Sequence, residues 1–197
     1  MTLGAVVLAA GSSSRLGEPK QLLRTAAGVP LLQHTVTAVR DSGAAPIVVA
    51  LGAVVTPCLP LCGDATPVIV TDWQLGMAHS LRVALQRLHA EAPTLEGAWI
   101  VVCDQPALSA TLLIALEDAW RRTGADAAAA EYAGVRGVPA LLARSLWPRL
   151  LEPATGVDGG ARALLRDPTL RIAGVEWPEG SFDVDTPADA ARLRAAT

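Results

Sequence analysis

Short apolar runs alternate with longer segments of helical periodicity along this 197-residue sequence. Continuous apolar runs are typical of strands buried on both faces, as in parallel sheets that are covered by helices. We therefore predict an α/β protein with a three-layer, Rossmann-like fold, in which a mostly parallel sheet carries helices on both faces. The predicted strands span residues 5–10, 47–51, 67–71, 98–103, 127–130, 139–142 and 171–175.

The segments between these strands carry apolar residues at helical spacing. Ser109 precedes one segment and Thr186 another, and both side chains are suited to capping a helix N-terminus. A chain of this length without a long linker or an internal repeat fits one domain, which we place at residues 1–197. The predicted helices span residues 31–40, 77–89, 111–122, 160–166 and 187–195.

Composition and charge argue against several classes of protein. Hydrophobic residues make up 51% of the sequence, so the chain can bury a substantial core and disorder is not expected. A net charge of −3 argues against a nucleic-acid partner, and no apolar stretch reaches the ~18 residues of a membrane span. With no leader pattern and no paired cysteine framework, we expect the cytoplasm. Cys58 and Cys62 lack nearby histidines, so we interpret them as core residues rather than metal ligands.

The first predicted strand ends in a loop of glycine and serine that carries two cations. Residues 11–20 read GSSSRLGEPK. Small residues let backbone N–H groups turn toward an anion, and Arg15 and Lys20 supply charges for phosphate oxygens. The spacing of the glycines fits neither a Walker loop nor a G-x-G-x-x-G fingerprint. The loop therefore indicates a polyphosphate site of another kind, and an ordinary glycine-rich turn is the alternative.

Aspartates in two distant parts of the sequence point to the same site. Asp104 follows the fourth predicted strand and Pro106 stops that strand, so Asp104 should lie at the carboxyl edge of the sheet. A carboxylate beside a polyphosphate needs a cation between them, and Mg²⁺ binds through one or two carboxylates and phosphate oxygens. We predict that Asp104 binds Mg²⁺; its alternative role is to cap a helix. Asp183 or Asp185 could complete the metal site, or both could belong to a surface turn.

Loops after the second and third predicted strands could line a pocket for the nucleotide base. Gly52 and Gly76 leave room for a flat ring, Asp72 opens the second loop, and Ser80 offers a hydroxyl. Each loop taken alone is equally typical of a plain turn.

Two glycine-rich segments in the second half of the chain, residues 134–139 and 156–162, are predicted to be loops. Their arginines, Arg136 and Arg162, could meet the phosphate of an acceptor substrate, or they could be solvated surface charges.

Taken together, these residues resemble the molybdenum cofactor cytidylyltransferase and guanylyltransferase family, which has a MobA-like nucleoside-triphosphate transferase domain. Its opening motif, L-A-[AG]-G-x-S-x-R-[ML]-G-x-x-K, is matched by residues 8–20. The motif D-x-P is matched by residues 104–106 and D-[IV]-D-T-P-x-D by residues 183–189; G-x-x-G-A-R is matched at Gly156, Gly159 or Gly160, Ala161 and Arg162. These matches extend over nearly the whole chain.

The resemblance implies a nucleotidyltransferase fold and a Mg²⁺-dependent enzyme. The enzyme would move a CMP moiety, or less favourably GMP, from a nucleoside triphosphate to the molybdopterin cofactor and release pyrophosphate. Arg15 and Lys20 would neutralise the pyrophosphate, and Asp104 and Asp185 would hold Mg²⁺, with Asp183 as the alternative ligand. The Ala-Ala pair before Gly11 points to CTP.

The same resemblance implies a molybdoenzyme or its chaperone as a recipient of the product. Arg15, Lys20 and Asp104 are the implied catalytic residues. The implied nucleotide-binding residues are Leu8, Ala9, Ala10, Gly11, Ser12, Ser13, Arg15, Lys20, Gly52, Asp72, Gly76, Ser80 and Asp104. The implied acceptor-binding residues are Arg136, Gly137 and Arg162.

Two other functions remain open on the sequence. The chain could be a nucleotidyltransferase that acts on a sugar phosphate or on methylerythritol phosphate. It could also be a non-catalytic accessory protein that binds nucleotide or cofactor during molybdoenzyme maturation. Binding alone does not require a metal carboxylate beside two cations, which favours an enzyme, and the release of pyrophosphate would distinguish the two classes.

Overall fold

Seven strands and six helices are found in the computed structural model, which describes residues 2–152 and 160–195. The strands are β1 (Leu3–Ala9), β2 (Ile47–Leu51), β3 (Thr66–Ile69), β4 (Gly97–Val102), β5 (Ala127–Tyr132), β6 (Val135–Ala143) and β7 (Ile172–Glu176). The helices are α1 (Leu31–Asp41), α2 (Met77–Glu91), α3 (Ala110–Thr123), α4 (Trp147–Leu151), α5 (Ala161–Leu165) and α6 (Pro187–Ala195).

The strands form one sheet in the order β3-β2-β1-β4-β6-β5-β7. Strand β1 pairs in parallel with β2 and with β4, so that Ala5 lies opposite Ile47 on one side and Trp99 on the other. Among the described strands, β6 is the one that runs antiparallel to its neighbours, β4 and β5. The predicted α/β architecture with a mostly parallel sheet is confirmed.

The strand β6 corrects the prediction of a glycine-rich loop at residues 134–139. The strand begins at Val135, because Ala133 and Gly134 turn the chain within two residues with φ of +48° and +74°. Such left-handed φ values at both turn positions match the twist of a β-hairpin. Residues 156–159, which belong to the other predicted loop, lie outside the described residues.

Helices cover both faces of the sheet, as the continuous apolar strands predict. On one face, Val7 of β1 belongs to a core with residues of α1 and α3. On the other face, Val6 and Leu8 belong to a core with residues of α2, α4 and α5. Both Cys58 and Cys62 are fully buried, which confirms their interpretation as core residues. No helix within residues 2–152 and 160–195 is both long and apolar enough to cross a bilayer.

Two predicted helix caps are confirmed. The Ser109 hydroxyl oxygen accepts a hydrogen bond from the Leu112 amide at 3.3 Å and starts α3. The hydroxyl oxygen of Thr186 accepts from the Asp189 amide, while the Asp189 carboxylate accepts from the Thr186 amide at 2.8 Å. This reciprocal pair is a capping box, and it fixes the start of α6 immediately after Asp185.

Candidate active site

The glycine-serine loop after β1 has a conformation that leaves its backbone donors free. Ser13 has a φ of +55°, and its carbonyl accepts from the amides of Leu16 and Gly17. In the described chain, the amides of residues 11–15 donate to no protein acceptor. Unpaired N–H groups around a left-handed residue form a concave anion site, so the loop is suited to binding phosphate oxygens.

Lys20 lies at the centre of a cluster of charges at the carboxyl edge of the sheet. Its Nζ atom donates to Asp104 Oδ2 at 2.7 Å and to Asp185 Oδ1 at 2.8 Å. Arg15 donates to the other oxygen of Asp185 at 2.8 Å, but its side chain is 73% exposed whereas that of Lys20 is 15% exposed. The structure thus brings together four predicted site residues from three distant segments of the chain.

Two contacts hold residues 183–185, the aspartate segment, at the site: one to the residue pair after β4 and one to the phosphate loop and α6. The amide of Val184 donates to the carbonyl of Asp104 at 2.9 Å. The Val184 side chain is fully buried with Leu16 and Leu193 in a small cluster of its own. Since Leu16 belongs to the phosphate loop and Leu193 to α6, this cluster joins the segments that carry Arg15, Lys20 and Asp185.

Charge and desolvation shift the pKa values of the clustered groups. Burial alone would lower the pKa of Lys20, but the carboxylates of Asp104 and Asp185 outweigh it and raise the pKa. Hydrogen bonding to Lys20 lowers the pKa of Asp185. Partial desolvation and the nearby carboxylate of Asp104 raise the pKa of Asp183 to about 6, although this residue lies at the surface. Negative charge is therefore in excess on the Asp183 side of the cluster.

One oxygen of the carboxylate cluster has no partner among the described residues and could bind a cation. Asp104 Oδ1 is buried and has no hydrogen-bond partner. Among residues 2–152 and 160–195, no group of three His, Cys, Asp or Glu side chains is arranged to hold a metal alone. Asp104 and Asp185 thus fit an ion of the Mg²⁺ type, which needs only one or two carboxylates when phosphate oxygens complete its shell.

The residues predicted to line a base pocket are held mainly by one another. The space beside Gly52 is taken by the Ala10 carbonyl and by Trp73, since a Cβ atom there would lie 2.7 Å from each. Ser80 is buried, and its hydroxyl donates to the Gly76 carbonyl at 3.4 Å. The room at Gly52 and the hydroxyl of Ser80 are therefore used within the protein.

A close contact between His79 and Asp72 holds the loop between β3 and α2. His79 Nε2 lies 2.7 Å from Asp72 Oδ1, and the contact lowers the pKa of Asp72. His79 Nδ1 lies 2.8 Å from the Arg82 guanidinium. Gly76, with a φ of +101°, starts α2 directly after this loop. The loop thus has a defined shape at the sheet edge next to β1 and β2.

The residues predicted to bind an acceptor surround the β5–β6 turn. Arg136 donates to Glu131 across the hairpin at 2.9 Å, and Gly137 leaves room for the Tyr132 side chain. A cavity of about 590 Å³ beside the turn is lined partly by Tyr132 and Arg136. Arg162 is exposed on α5, and its charge acts on the Tyr132 hydroxyl.

Two polar residues of the site were not predicted. Gln21 is buried, and its amide donates to the carbonyls of Ala9 and Gly11 at 2.8 and 2.9 Å. Gln105 is also buried, and it donates to Asp183 and, at 3.4 Å, to the Tyr132 hydroxyl. The one available signal was the position of both glutamines directly after a charged residue that we had assigned to the site.

Known proteins with this fold are similar to the chain over most of its length. Residues 5–173 match the MobA-like NTP transferase domain. A probable molybdenum cofactor guanylyltransferase of Rhodopirellula baltica is 31% identical over 159 residues. That alignment covers 77% of this chain and 65% of the relative, so the chain spans slightly less than two thirds of the relative's length.

The similarity extends to solved structures. The crystal structure of Rv0371c from Mycobacterium tuberculosis H37Rv superimposes with a TM-score of 0.82 at 30% identity, covering 100% of this chain and 98% of that one. A manganese complex of the same protein has a TM-score of 0.79 at 26% identity, with both chains covered completely. The loop, the fold and the family match agree, and the chain belongs to the MobA-like NTP transferase family of nucleotidyltransferases.

Proposed function

We propose that this nucleotidyltransferase moves the CMP moiety of CTP to the molybdopterin cofactor, with release of pyrophosphate. The observation that carries the proposal is the convergence of the free loop amides, Lys20, Asp104 and Asp185 at one edge of the sheet. Catalysis of phosphoryl transfer depends on positioning and charge stabilisation rather than on covalent chemistry by the protein, and these groups supply both.

Each group has a distinct role in the proposed reaction. The amides of residues 11–13 bind the β- and γ-phosphates, and Arg15 and Lys20 stabilise the charge that builds on the departing pyrophosphate. Asp104 and Asp185 would hold Mg²⁺, with Asp183 as the alternative ligand; the bound ion would polarise the phosphate and offset its charge. A phosphate nucleophile is already ionised at neutral pH, so no residue is needed as a general base.

The choice of base rests on the resemblance of the residues before Gly11. Ala9 and Ala10 favour CTP. GTP is the second candidate, because the curated relative from Rhodopirellula baltica is named a probable guanylyltransferase. The base would lie beside the loop from Asp72 to Gly76, at the edge of the sheet beyond β1 and β2, where Trp73 fills the space next to Gly52.

The acceptor would approach from the opposite side of Asp104. Support comes from the open cavity at the β5–β6 turn and from two arginines of the region, Arg136 and Arg162. We further propose that residues 1–197 act as one domain in the cytoplasm, and that a molybdoenzyme or its chaperone receives the product.

Pyrophosphate release from the purified chain tests the function. CTP and GTP are each incubated with molybdopterin cofactor, with Mg²⁺ or with a chelator, and a sugar phosphate and methylerythritol phosphate serve as alternative acceptors. We expect release with CTP, cofactor and Mg²⁺ together. Asp104→Asn should lower the rate by about 10²–10³-fold, the usual effect of losing one charge-stabilising group.

Asp64→Asn is the matched control, because the Asp64 side chain is 98% exposed and lies before β3, at the amino end of the parallel strands and opposite the edge that carries the site. Its rate should stay within about twofold of the wild type, as surface substitutions usually do. Equal rates for Asp104→Asn and the wild type, or no pyrophosphate with any combination, would contradict the proposal.

A further inference from the structure

Lys20 is the only lysine in the sequence, which has 16 lysine and arginine residues together. Every other cationic position is therefore an arginine, including Arg15 in the same loop. The two side chains differ in a way that matters here. The ammonium group is a compact point charge on a flexible stem, whereas the guanidinium is a planar fork. A lysine thus stands at the one position where the cation is surrounded by carboxylates.

The Lys20 ammonium lies between one oxygen of each of the two carboxylates that we assign to the metal. It is 2.7 Å from Asp104 Oδ2 and 2.8 Å from Asp185 Oδ1. The Lys20 and Asp104 side chains are only 15% and 18% exposed, so solvent screens their attraction weakly. A metal ion and the ammonium cannot both be bound between these two oxygens.

Arg15 does not block the oxygens in the same way. It binds Asp185 from the outer side, through Oδ2, and its side chain is 73% exposed. An exposed pair of this kind contributes little and is screened by salt. The buried Asp104 Oδ1 remains without a partner on the protein. Of the two described cations that contact these carboxylates, Lys20 is therefore the one that blocks a metal ion.

We propose that Lys20 is an exchangeable counter-ion of the metal carboxylates. Without substrate, its ammonium binds Asp104 and Asp185 and competes with a divalent cation. When a nucleoside triphosphate enters the loop, the ammonium transfers to phosphate oxygens and releases the two carboxylates. Metal and nucleotide then each strengthen the binding of the other, since coupling between two ligands is reciprocal. The inference rests on the proposed function, because it takes the two carboxylates as metal ligands.

Manganese binding in the absence of nucleotide tests the competition. Free Mn²⁺ is measured by electron paramagnetic resonance for the wild type and for Lys20→Met, which keeps the length of the side chain and removes its charge. A neighbouring opposite charge changes the proton affinity of a carboxylate by about 10- to 1,000-fold, and the same competition acts on a metal ion. We therefore expect Lys20→Met to bind Mn²⁺ at least about tenfold more tightly than the wild type.

Arg24→Met is the matched control, because Arg24 is an exposed cation four residues away whose guanidinium donates to the Gly28 carbonyl rather than to a carboxylate of the site. Its Mn²⁺ affinity should equal that of the wild type. Equal or weaker Mn²⁺ binding by Lys20→Met would overturn the proposal. A thermal melt of each variant establishes that the compared proteins are folded.

A second measurement uses the wild type and needs no variant. Labelling with ¹³C,¹⁵N-lysine gives the side-chain resonances of Lys20 alone. We expect a shift of its ε-carbon signal when Mg²⁺ and a non-hydrolysable CTP or GTP analogue are added together, and no shift with millimolar Mg²⁺ alone. An unchanged signal with both ligands present would overturn the exchange.

The two proposals fail in different ways. The exchange proposal alone would fail if the wild type binds Mn²⁺ in the presence of nucleotide but Lys20→Met binds Mn²⁺ no more tightly than the wild type. Failure of the proposed function would appear as no Mn²⁺ binding by either protein, with or without nucleotide, and that result would overturn both.

Discussion

Two residues, Ser13 and Gln21, keep the glycine-serine loop open toward solvent. The Ser13 carbonyl accepts hydrogen bonds from the amides of Leu16 and Gly17, and the Ser13 hydroxyl accepts one from the Lys20 amide at 3.1 Å. Gln21 binds the carbonyls at both ends of the turn that starts the loop. The loop is therefore organised before any anion arrives, which lowers the entropy lost on binding.

Replacing Gln21 by leucine should loosen this loop. The change removes two hydrogen bonds from a buried site and leaves the carbonyls of Ala9 and Gly11 unpaired, at a cost of about 1–3 kcal/mol. We expect a lower unfolding free energy in a denaturant titration and weaker nucleoside triphosphate binding by about tenfold. Gln86→Leu, at an exposed position of α2, should change neither quantity, and equal nucleotide affinity in the two variants would refute the role of Gln21.

The sequence predicts the charged residues of the site better than the uncharged ones. Lys20, Asp104 and Asp185 could be expected together because loops that follow parallel strands meet at one edge of a sheet. Gln21 and Gln105 could not, since a single buried amide has no periodic signal and its partners are backbone carbonyls or side chains fixed by tertiary structure. The space at Gly52 was assigned to a ligand, but it is occupied by Trp73 from another loop.

At the scale of elements, helix α6 positions Asp185. The helix packs through Leu193 against Leu16 of the phosphate loop and Val184 of the aspartate segment, in a cluster separate from the two cores of the sheet. Its capping box at Thr186 begins one residue after Asp185. Movement of α6 is therefore expected to move the carboxylate that contacts Lys20 and Arg15.

Two leucines of equal burial separate this effect from general destabilisation. Leu193 in α6 and Leu150 in α4 are both 5% exposed, but only Leu193 belongs to the cluster that holds Asp185. Each change to alanine should cost about 2–5 kcal/mol in thermal or chemical unfolding. We expect Leu193→Ala to raise the metal concentration needed for pyrophosphate release, while Leu150→Ala leaves it unchanged. The same metal requirement in both variants would show that α6 does not position the site.

The elements that were hardest to predict lie around the β5–β6 hairpin. Apolar periodicity located each of the seven strands within a few residues, but β6 starts four residues earlier than the apolar run at 139–142. Gly134 and Gly137 suggested a loop, whereas in the structure one belongs to the turn and the other makes room for Tyr132. The Ala133-Gly134 turn lacks the Asn or Asp that usually marks a hairpin of this kind.

On the scale of the whole molecule, the reactivity of the three cysteines measures how tightly one face of the sheet is packed. Cys58, Cys62 and Cys103 all belong to the core that contains α1 and α3. Each is at most 3% exposed, and burial raises the pKa of Cys58 to about 11 and also raises that of Cys103. Thiols that are buried and protonated at neutral pH react slowly.

We expect the native protein to resist alkylation by iodoacetamide at pH 8 and to react at three thiols once guanidinium unfolds it. Mass spectrometry counts the adducts at each time point. Ala26→Cys, in an exposed turn, supplies a thiol that should react at once in the native state. Rapid modification of any native cysteine would mean that this face of the core opens easily.

The reversed strand β6 has a consequence for how a family of enzymes can diversify. Parallel neighbours are joined by crossovers whose helices must repack on the sheet. The β5–β6 connection has only two residues, Ala133 and Gly134, and carries no helix. Lengthening it costs closure entropy alone, about 0.6 kcal/mol for each doubling. Insertions there can change the shape of the cavity beside the turn while β1 and its loop stay intact. The enzyme could then accept a new acceptor without any change to the residues that bind the nucleotide.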